Sequence, residues 1–511
     1  MLEQIDLTRK LDKTKYKKSM DQMEPCLSRL QRECRELGIP VMIVFEGFGA
    51  AGKGVQIGKL ISALDPRGFH VHAIDGESPE EHNRPFLWRF WTKTPARGRI
   101  AIFDRSWYRR VLVDRFDGRT SPQELGYAYE EINSFEQQLT DGGCVIIKLF
   151  LCIDQEEQKK RLQKRMESPA TSWQVSDGDR KRNREYGRYK EMNEEMLQKT
   201  DTDYAPWTIV EATDRRFATV KIYSTVIQQL QEAVQEARGR QEPSDEAASE
   251  QGPAPSASTP GQDAAFGADT ALNRVDLTLS YTRKEYKEKL KELQDRLQVL
   301  QSELYRQRIP VILGFEGWDA AGKGGAIKRL TAHMDPRGYQ VNPTASPNDL
   351  EKSHHYLWRF WNNVPKKGHI AIFDRTWYGR VMVERIEGFC TPEEWQRAYK
   401  EINDMEANWV HFGAIVRKFW LQIDKDEQER RFRRRMENPE KRWKITEEDW
   451  RNRSKWDEYE QAVDEMLVRT STTYAPWVIV EGNCKYYARI KVLQTVVDAI
   501  EERLKEERHR G

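Results

Sequence analysis

Short apolar segments alternate along the chain with longer polar segments in which apolar residues recur at helical spacing. In the second half of the chain, four apolar runs predict β-strands, at 311–315, 370–373, 415–423 and 477–480. Before the first of them, leucines at helical spacing predict a helix, at 290, 293, 297 and 300. Because short strands alternate with helices, we predict an α/β fold in which helices cover both faces of a mainly parallel sheet.

This pattern occurs twice. The segment GFGAAGKG at 47–54 returns as GWDAAGKG at 317–324, 270 residues later, and IAIFDRSWY at 100–108 returns in the same register as IAIFDRTWY at 370–378. A repeat of this length predicts a duplicated domain. Between the halves lies a segment rich in Pro, Ser, Ala and Gly, which is typical of a flexible linker. We therefore predict domains at 1–236 and 273–511, joined by a linker at 237–272.

The glycine-rich loop at 317–324 follows a predicted strand and precedes a predicted helix. Backbone N–H groups of such a loop bind phosphate oxygens, the helix N-terminus adds partial positive charge, and Lys323 adds a full charge. We assign Gly322 and Gly324 to phosphate binding with the lysine. Gly324 stands where phosphate loops usually carry a Ser or Thr for Mg²⁺. Asp319 is the predicted substitute, because this metal needs hard oxygen ligands.

A second carboxylate, Asp374, comes directly after the predicted strand at 370–373. Ligands of parallel sheets bind beyond the carboxyl ends of the strands, where both the loop and this carboxylate fall. In phosphate-loop enzymes an Asp at the end of a neighbouring strand holds Mg²⁺. We therefore predict that Asp319 and Asp374 form a metal platform beside Lys323.

Basic residues are concentrated around these motifs. Such a cluster is usually a solvated face. Here, however, the many cations accompany a phosphate loop, which favours binding of a long phosphate chain or of two phosphorylated substrates. We assign a set of them to phosphate or polyphosphate: Lys328, Arg329, Arg434, Arg435, Lys441, Arg442 and Lys444. Arg380 and Arg385 are assigned to a nucleotide. The segment at 433–439 predicts a hinged helical lid, which would exclude water from the transferred group.

Composition narrows the class of protein. The formal net charge of +2 excludes polyanion binding by bulk charge, and we expect no nucleic-acid partner. No run approaches the roughly 20 apolar residues of a membrane span. Because the segment at 1–18 is polar and charged, we do not expect it to be a signal peptide. The six cysteines are scattered without a CxxC pair, which is typical of free thiols in a reducing compartment. We expect a cytoplasmic protein.

Five segments together resemble the second family of polyphosphate kinases: GWDAAGKG at 317–324, LWRF at 357–360, FDRTWY at 373–378, KRWK at 441–444 and TSTTYAPW at 470–477. The resemblance covers nearly all of both halves, and the two-domain layout resembles the polyphosphate:AMP phosphotransferase subgroup. It implies a thymidylate-kinase-like phosphate-loop fold. It also implies transfer of phosphate from inorganic polyphosphate to a nucleotide with Mg²⁺ as cofactor.

The resemblance also implies roles for individual residues. The loop Asp, the loop Lys and the strand-end Asp of the family match Asp319, Lys323 and Asp374, and the Arg after the strand matches Arg375. The lid cations of the family match Arg434, Arg435, Lys441, Arg442 and Lys444. A homo-oligomer is implied by the resemblance alone.

The two halves are not equivalent. Asp319 corresponds to Gly49, and the lid cations Lys441, Arg442 and Lys444 correspond to Thr171, Ser172 and Gln174. We therefore predict that the first half folds but is catalytically impaired. Two alternatives stay open, namely that the first half still holds polyphosphate and that both halves are active.

The favoured reaction transfers a phosphoryl group from polyphosphate to AMP and gives ADP. The choice of AMP over ADP rests on the two-domain resemblance and on no single residue. The alternatives are a polyphosphate-dependent kinase that converts ADP to ATP, an ATP-dependent nucleotide kinase, and a polyphosphate-binding module without catalysis. The expected partners are therefore inorganic polyphosphate and AMP or ADP, and we expect no membrane partner.

Overall fold

The computed structural model describes residues 1–169, 172, 175–240, 270–440 and 442–510. Each half contains one five-stranded sheet. The strands of the first half are β1 (Val41–Gly47), β2 (Phe69–Ala73), β3 (Ile100–Asp104), β4 (Val145–Cys152) and β5 (Trp207–Glu211). Those of the second half are β6 (Val311–Gly317), β7 (Tyr339–Pro343), β8 (Ile370–Asp374), β9 (Ile415–Gln422) and β10 (Trp477–Glu481).

Helices connect the strands. The helices of the first half are α1 (Lys13–Glu36), α2 (Lys53–Ile61), α3 (Pro79–His82), α4 (Trp88–Trp91), α5 (Val113–Phe116), α6 (Pro122–Asp141), α7 (Gln155–Met166), α8 (Asp177–Arg184), α9 (Tyr186–Thr200) and α10 (Arg215–Gly239). Those of the second half are α11 (Arg283–Gln307), α12 (Lys323–Leu330), α13 (Asp349–Lys352), α14 (Trp358–Trp361), α15 (Val383–Ile386), α16 (Pro392–His411), α17 (Lys425–Met436), α18 (Glu447–Ser454), α19 (Trp456–Thr470) and α20 (Lys485–Arg510). Short 3-10 turns lie at Leu2–Gln4, Pro66–Gly68, Trp107–Arg110, Pro336–Gly338, Trp377–Val381 and Arg442–Lys444.

The predicted α/β class is confirmed. All strand pairs are parallel, in the order β2-β3-β1-β4-β5 in the first sheet and β10-β9-β6-β8-β7 in the second, and helices flank both sheets. The central strands β6 and β9 are adjacent, and their following connections leave in opposite directions across the sheet. Such a change of direction opens a crevice at the carboxyl ends of the strands.

The edge strands β2 and β7 were not among the predicted strands. The residues of β7 pair with β8 from Tyr339 opposite Ile370 to Pro343 opposite Asp374. Most of them are half-buried or exposed, and their sequence, YQVNP, has no apolar run. Backbone pairing along the edge of the sheet, and not burial of side chains, therefore defines this strand.

The described residues fall into two compact units with one sheet each; the first also includes Asn348–Trp358, and the second also includes Pro79–Trp88. Much of the predicted linker lies outside the described residues. Its described part is ordered at both ends, because α10 continues to Gly239 and Leu272 is buried. The backbone N–H of Leu272 donates to Asp464 Oδ1 at 3.3 Å. Among the described residues, no helix has both the length and the apolar character to cross a membrane.

An ion pair without any solvent exposure connects β9 to α16 in the second half. Lys418 in β9 donates to Glu406 Oε2 in α16 at 2.7 Å, and both side chains have 0% exposure. Trp377 Nε1 and the Tyr378 hydroxyl donate to the other carboxylate oxygen at 2.9 and 2.8 Å. The ammonium also donates to the Thr470 carbonyl at 2.7 Å. This network fixes the turn that follows β8.

The first half contains the same buried network. Lys148 in β4 donates to Glu136 Oε2 at 2.8 Å, again with 0% exposure of both side chains. Trp107 Nε1 and the Tyr108 hydroxyl donate to Glu136 Oε1. The two turns after β3 and β8 therefore have the same support, although their surroundings differ in charge.

We expect Lys418→Met to lower the free energy of unfolding by about 3–5 kcal/mol at pH 7.5, because the Glu406 carboxylate stays buried without its counter-charge. Burial raises the pKa of Glu406 above its usual value of 4.5, and Lys418 opposes that shift. A carboxyl whose pKa is raised by folding destabilises the native state only where it is ionised. The deficit should therefore shrink as the pH falls from 7.5 towards 4.5.

Urea unfolding followed by tryptophan fluorescence measures this loss. The matched variant Lys148→Met should lose a similar amount, and adding Glu406→Gln to Lys418→Met should recover much of it. A loss below about 1 kcal/mol, the range of an exposed ion pair, would contradict the assigned role of the buried pair.

Candidate phosphate-binding site and metal centre

The glycine-rich loop lies between β6 and α12. Gly317 adopts φ 143°, and a Cβ there would lie 2.6 Å from the Leu421 carbonyl oxygen, so only glycine fits between the loop and β9. Lys323 is the first residue of α12, and Nζ donates to the carbonyls of Gly317 at 2.5 Å and Trp318 at 3.4 Å. Gly322 caps the helix with φ 117°. The lysine and the helix N-terminus thus face the loop, as predicted for a phosphate cradle.

An aromatic stack holds the loop from the side. The buried Trp318 ring stacks on Trp456 of α19 with 3.6 Å between centroids and 7° between planes. Its Nε1 donates to Gln422 Oε1 at 2.8 Å. In the first half, Phe48 stacks on Tyr186 at 4.8 Å. In each half an aromatic stack therefore connects the loop to a helix, α9 in the first half and α19 in the second.

A single guanidinium fastens the loop to the segment that follows β10. Arg431 in α17 donates from Nη1 to the carbonyls of Ala320 and Ala321 at 3.0 and 2.8 Å. Its Nη2 donates to the carbonyls of Gly482 and Asn483 at 2.6 and 3.1 Å, and Nε bonds Glu427. A cation whose donors are used in this way supports the loop backbone.

Asp319 lies at the mouth of the loop with 18% of its side chain exposed. Its Oδ1 is 3.5 Å from Arg375 Nη2, and Oδ2 accepts from Asn452 Nδ2 of α18 at 3.2 Å. The side-chain amide of Gln428 donates to its backbone carbonyl at 3.2 Å. The carboxylate is thus oriented by one cation and one amide, with oxygen lone pairs left for a metal or a donor.

The turn that carries Asp374 and Arg375 is strained and doubly anchored. Asp374 ends β8, and Arg375 adopts φ 64°, a left-handed conformation that costs free energy for a non-glycine residue. The N–H and hydroxyl of Thr376 donate to the buried Glu316 carboxylate at 2.6 and 2.9 Å. Burial raises the pKa of Glu316, and the nearby Lys323 charge opposes that rise. Glu316 in β6 thus links the turn to the phosphate loop.

The donor set fits the Mg²⁺ that the sequence predicts. Within the described part of the chain, no group of three or more His, Cys, Asp or Glu side chains is placed to hold a metal. The loop and the strand end provide one carboxylate each, Asp319 and Asp374. Mg²⁺ is commonly held by one or two carboxylates, with phosphate oxygens and water as its other ligands. This site is therefore suited to a metal that arrives with a phosphorylated substrate.

The cations assigned to phosphate differ in their surroundings. Arg435 is half-buried; burial lowers its pKa, and the charges of Asp449 and Asp319 oppose that shift. Arg434 and Arg442 are exposed. Lys441 and the side chain of Lys444 lie outside the described residues, as do Thr171 and Gln174. Of this set, the structure places Arg435 within electrostatic reach of the loop carboxylate.

Other assigned cations contact protein groups. Arg329 donates to the Gly325 carbonyl at 3.2 Å on its own helix, and Lys328 is exposed. Arg380 lies 3.2 Å from Glu384, and Arg385 pairs with Glu465 at 2.6 Å and stacks on the Trp395 ring. Arg115 makes the same pair with Glu195 in the first half. The contacts of Arg385 are those of a packing residue, and its nucleotide role stays a prediction.

Sequence reasoning missed several residues that build the site: Glu316, Gln428, Arg431, Asn452, Glu406 and Lys418. Five of them have an identical residue 270 positions earlier, namely Glu46, Gln158, Arg161, Glu136 and Lys148. Identity between the halves, outside the glycine-rich loop, was the signal that could have found them. Asn452 has Arg182 as its counterpart, so that signal does not reach it.

Comparison with known proteins gives consistent relatives over the full length of the chain. The family described as polyphosphate kinase 2 matches residues 10–238 and 280–508. A polyphosphate:AMP phosphotransferase of Pseudomonas aeruginosa is 40% identical over 99% of this chain and 100% of its own, and one of Pseudomonas syringae pv. tomato is 38% identical over 98% of each. A crystal structure of polyphosphate kinase 2 from Pseudomonas aeruginosa PA01 is 38% identical, with a TM-score of 0.85 over 99% of this chain and 100% of that one.

We expect Arg431→Lys to loosen the phosphate loop of the second half, because lysine cannot reproduce the fork that bonds four backbone carbonyls. Hydrogen–deuterium exchange of peptides that cover 317–324 should become faster by at least about tenfold, the equivalent of roughly 1.4 kcal/mol. Arg161→Lys is the matched control and should loosen 47–54 instead. Unchanged exchange at 317–324 in a folded Arg431→Lys protein would exclude this role.

Proposed function

The chain belongs to the polyphosphate kinase 2 family, and on that premise we propose that it transfers a phosphoryl group from inorganic polyphosphate to AMP and gives ADP. Relatives that match 94–99% of this chain, through both halves, are named polyphosphate:AMP phosphotransferase. The organisation in two halves is thus shared with proteins of that name.

One observation carries the proposal. In the second half, the phosphate loop with Lys323 and Asp319 follows β6, and Asp374 ends the neighbouring strand β8, so these groups lie at the carboxyl end of the sheet. Arg375 Nη2 lies 3.5 Å from Asp319 Oδ1. A site of cations and metal-binding carboxylates suits the transfer of a phosphoryl group from a phosphate chain to a phosphate acceptor. We assign Asp319, Lys323, Asp374 and Arg375 to this reaction.

The acceptor explains why the site needs no strong general base. The phosphate of AMP is already an anionic nucleophile at neutral pH, so catalysis consists of positioning and charge neutralisation. Lys323 and the loop N–H groups would hold phosphate oxygens, and Arg375 would neutralise charge as the phosphoryl group moves. Asp319 and Asp374 would hold Mg²⁺, which supplies further charge neutralisation when bound.

We propose that the first half is folded and catalytically impaired. It keeps Lys53, Asp104 and Arg105 at the same positions, and Lys53 Nζ donates to the Gly47 carbonyl at 2.9 Å. Gly49 supports impairment, because it supplies no carboxylate at the position of Asp319. The catalytic domain is therefore the second half, proposed at 273–511.

We also propose a cellular location and an oligomeric state. The described cysteines are free thiols, which supports a cytoplasmic location. A homo-oligomer is supported by the family resemblance alone, and light scattering on the purified protein measures its size.

The experiment that tests the function compares donors and acceptors side by side. With Mg²⁺ and polyphosphate, AMP should give ADP much faster than ADP gives ATP. With ATP as donor in place of polyphosphate, conversion of AMP should be slower by at least about 100-fold, roughly the effect of about 2.7 kcal/mol in transition-state binding.

Each contrary outcome assigns a different function. Faster conversion of ADP would make the protein a polyphosphate-dependent kinase of nucleoside diphosphates. Faster reaction with ATP would make it an ATP-dependent nucleotide kinase, and no reaction with any pair would leave a binding module.

A further inference from the structure

The first half contains a cavity of about 640 Å³ at the carboxyl edge of its sheet. The glycine-rich loop with Lys53, the end of β3 and helices α7 and α8 form its walls. Six cationic side chains line it: Lys53, Arg105, Arg109, Arg119, Arg165 and Arg182. Four carboxylates line it as well: Asp75, Asp104, Asp117 and Asp179. The lining therefore carries a formal charge of +2 when all of these groups are ionised.

The repeat provides an internal comparison for this charge. At the same positions, 270 residues later, the second half has three cationic side chains, Lys323, Arg375 and Arg435. It has five carboxylates there, Asp319, Asp374, Glu387, Glu448 and Asp449, which gives a formal charge of −2. Two cations that do not belong to these positions, Lys455 and Arg451, pair with Glu387 and offset its charge. The charges of the two halves are therefore compared only at the positions nearest the loop.

Three exchanges beside the loop make the first half more positive: two add a cation and one removes a carboxylate. Gly49 replaces Asp319, Arg182 replaces Asn452, and Arg109 replaces Gly379. In the second half the amide of Asn452 donates to the loop carboxylate. In the first half a guanidinium occupies the position of that amide, and no carboxylate occupies the loop position.

A carboxylate from α8 does not restore a metal site in the first half. A Cβ at Gly49 would lie 3.3 Å from Asp179 Oδ1. That oxygen, however, is bonded by Arg182 Nη2 at 3.0 Å. Hydrogen bonds from Ser176 and Arg182 outweigh burial and lower the pKa of Asp179. The charge of this carboxylate is thus already balanced by a buried guanidinium.

The arginines retain donors for an anion. The Arg182 and Arg109 side chains are only 9% and 12% exposed. Arg182 lies 3.0 Å from Asp179 and 3.7 Å from Asp117, and Arg109 lies 3.3 Å from Asp114. A guanidinium has five N–H donors in a planar fork, which is more than these contacts use in either arginine. In the proposed reaction of the second half, bound Mg²⁺ would balance part of the phosphate charge. In the first half, arginine side chains are placed to supply that positive charge.

We propose that the first-half cavity binds a phosphate chain as a bare polyanion, without a divalent cation. The ligand is a linear run of phosphates, either inorganic polyphosphate or the phosphate chain of a nucleotide. Binding of a phosphate chain follows from the cavity itself, whereas the choice of inorganic polyphosphate as its natural ligand rests on the proposed function. The first half would then hold polyphosphate on the protein without transferring a phosphoryl group from it.

The test is calorimetric titration of the full-length protein with sodium tripolyphosphate in EDTA. We expect about one tripolyphosphate to bind per chain. The double variant Arg109→Gly, Arg182→Asn carries the residues that the second half has at these positions. It should weaken this binding by at least about tenfold, because two charge-assisted contacts are lost.

Lys13→Ala, Lys17→Ala is the control, because it removes the same charge from the exposed face of α1 and should bind as the native protein does. If the double variant does not fold, Arg182→Asn alone replaces it, with at least a threefold loss expected. A parallel titration with ATP identifies the source. Equal affinity indicates recognition of any triphosphate, whereas weaker binding of ATP assigns the cavity to the inorganic chain.

Absence of binding in EDTA, binding that requires Mg²⁺, or equal affinity of the native and double-variant proteins would overturn the proposal. Failure of the proposed function is seen separately, as absence of ADP formation from AMP and polyphosphate with Mg²⁺. That result would leave binding in EDTA as it is.

Discussion

The buried pair of Glu406 and Lys418 is the interaction on which the structure of the second half depends. Two opposite charges without solvent exposure are tolerated only because each is also hydrogen-bonded. Trp377 and Tyr378 also donate to the carboxylate, so the buried network fixes the turn after β8 to α16 and β9. The turn fixed in this way holds Arg375 in its left-handed conformation and Asp374 at the sheet edge.

The two halves show that this support and the chemistry it carries are separable. Both halves keep the buried pair, the loop lysine and the guanidinium that fastens the loop, with closely similar contacts. The differences lie in side chains that face the cavity, such as Gly49 and Arg182. A scaffold fixed by buried hydrogen bonds thus allows the charged side chains beside the loop to change without a change of fold.

The sequence predicted the strands with apolar runs, the phosphate loop and the strand-end Asp374, because these depend on local pattern. It did not reveal that Arg431 supports the loop backbone, since a cation that bonds carbonyls looks like any other in a basic run. The edge strand β7 escaped as well, because pairing along one edge leaves no apolar signature. Contacts between residues distant in sequence, such as Asn452 with Asp319, require the fold.

The most direct measurement of the central claim, one metal-dependent site per chain, is turnover of AMP with polyphosphate and Mg²⁺ in two matched variants. Asp374→Asn removes the strand-end carboxylate of the second half, and Asp104→Asn removes that of the first. We expect Asp374→Asn to lower kcat by at least about 10³-fold, because charge stabilisation of the moving phosphoryl group is lost, and Asp104→Asn to lower it by less than about tenfold. Losses of equal size in two folded variants would contradict the account.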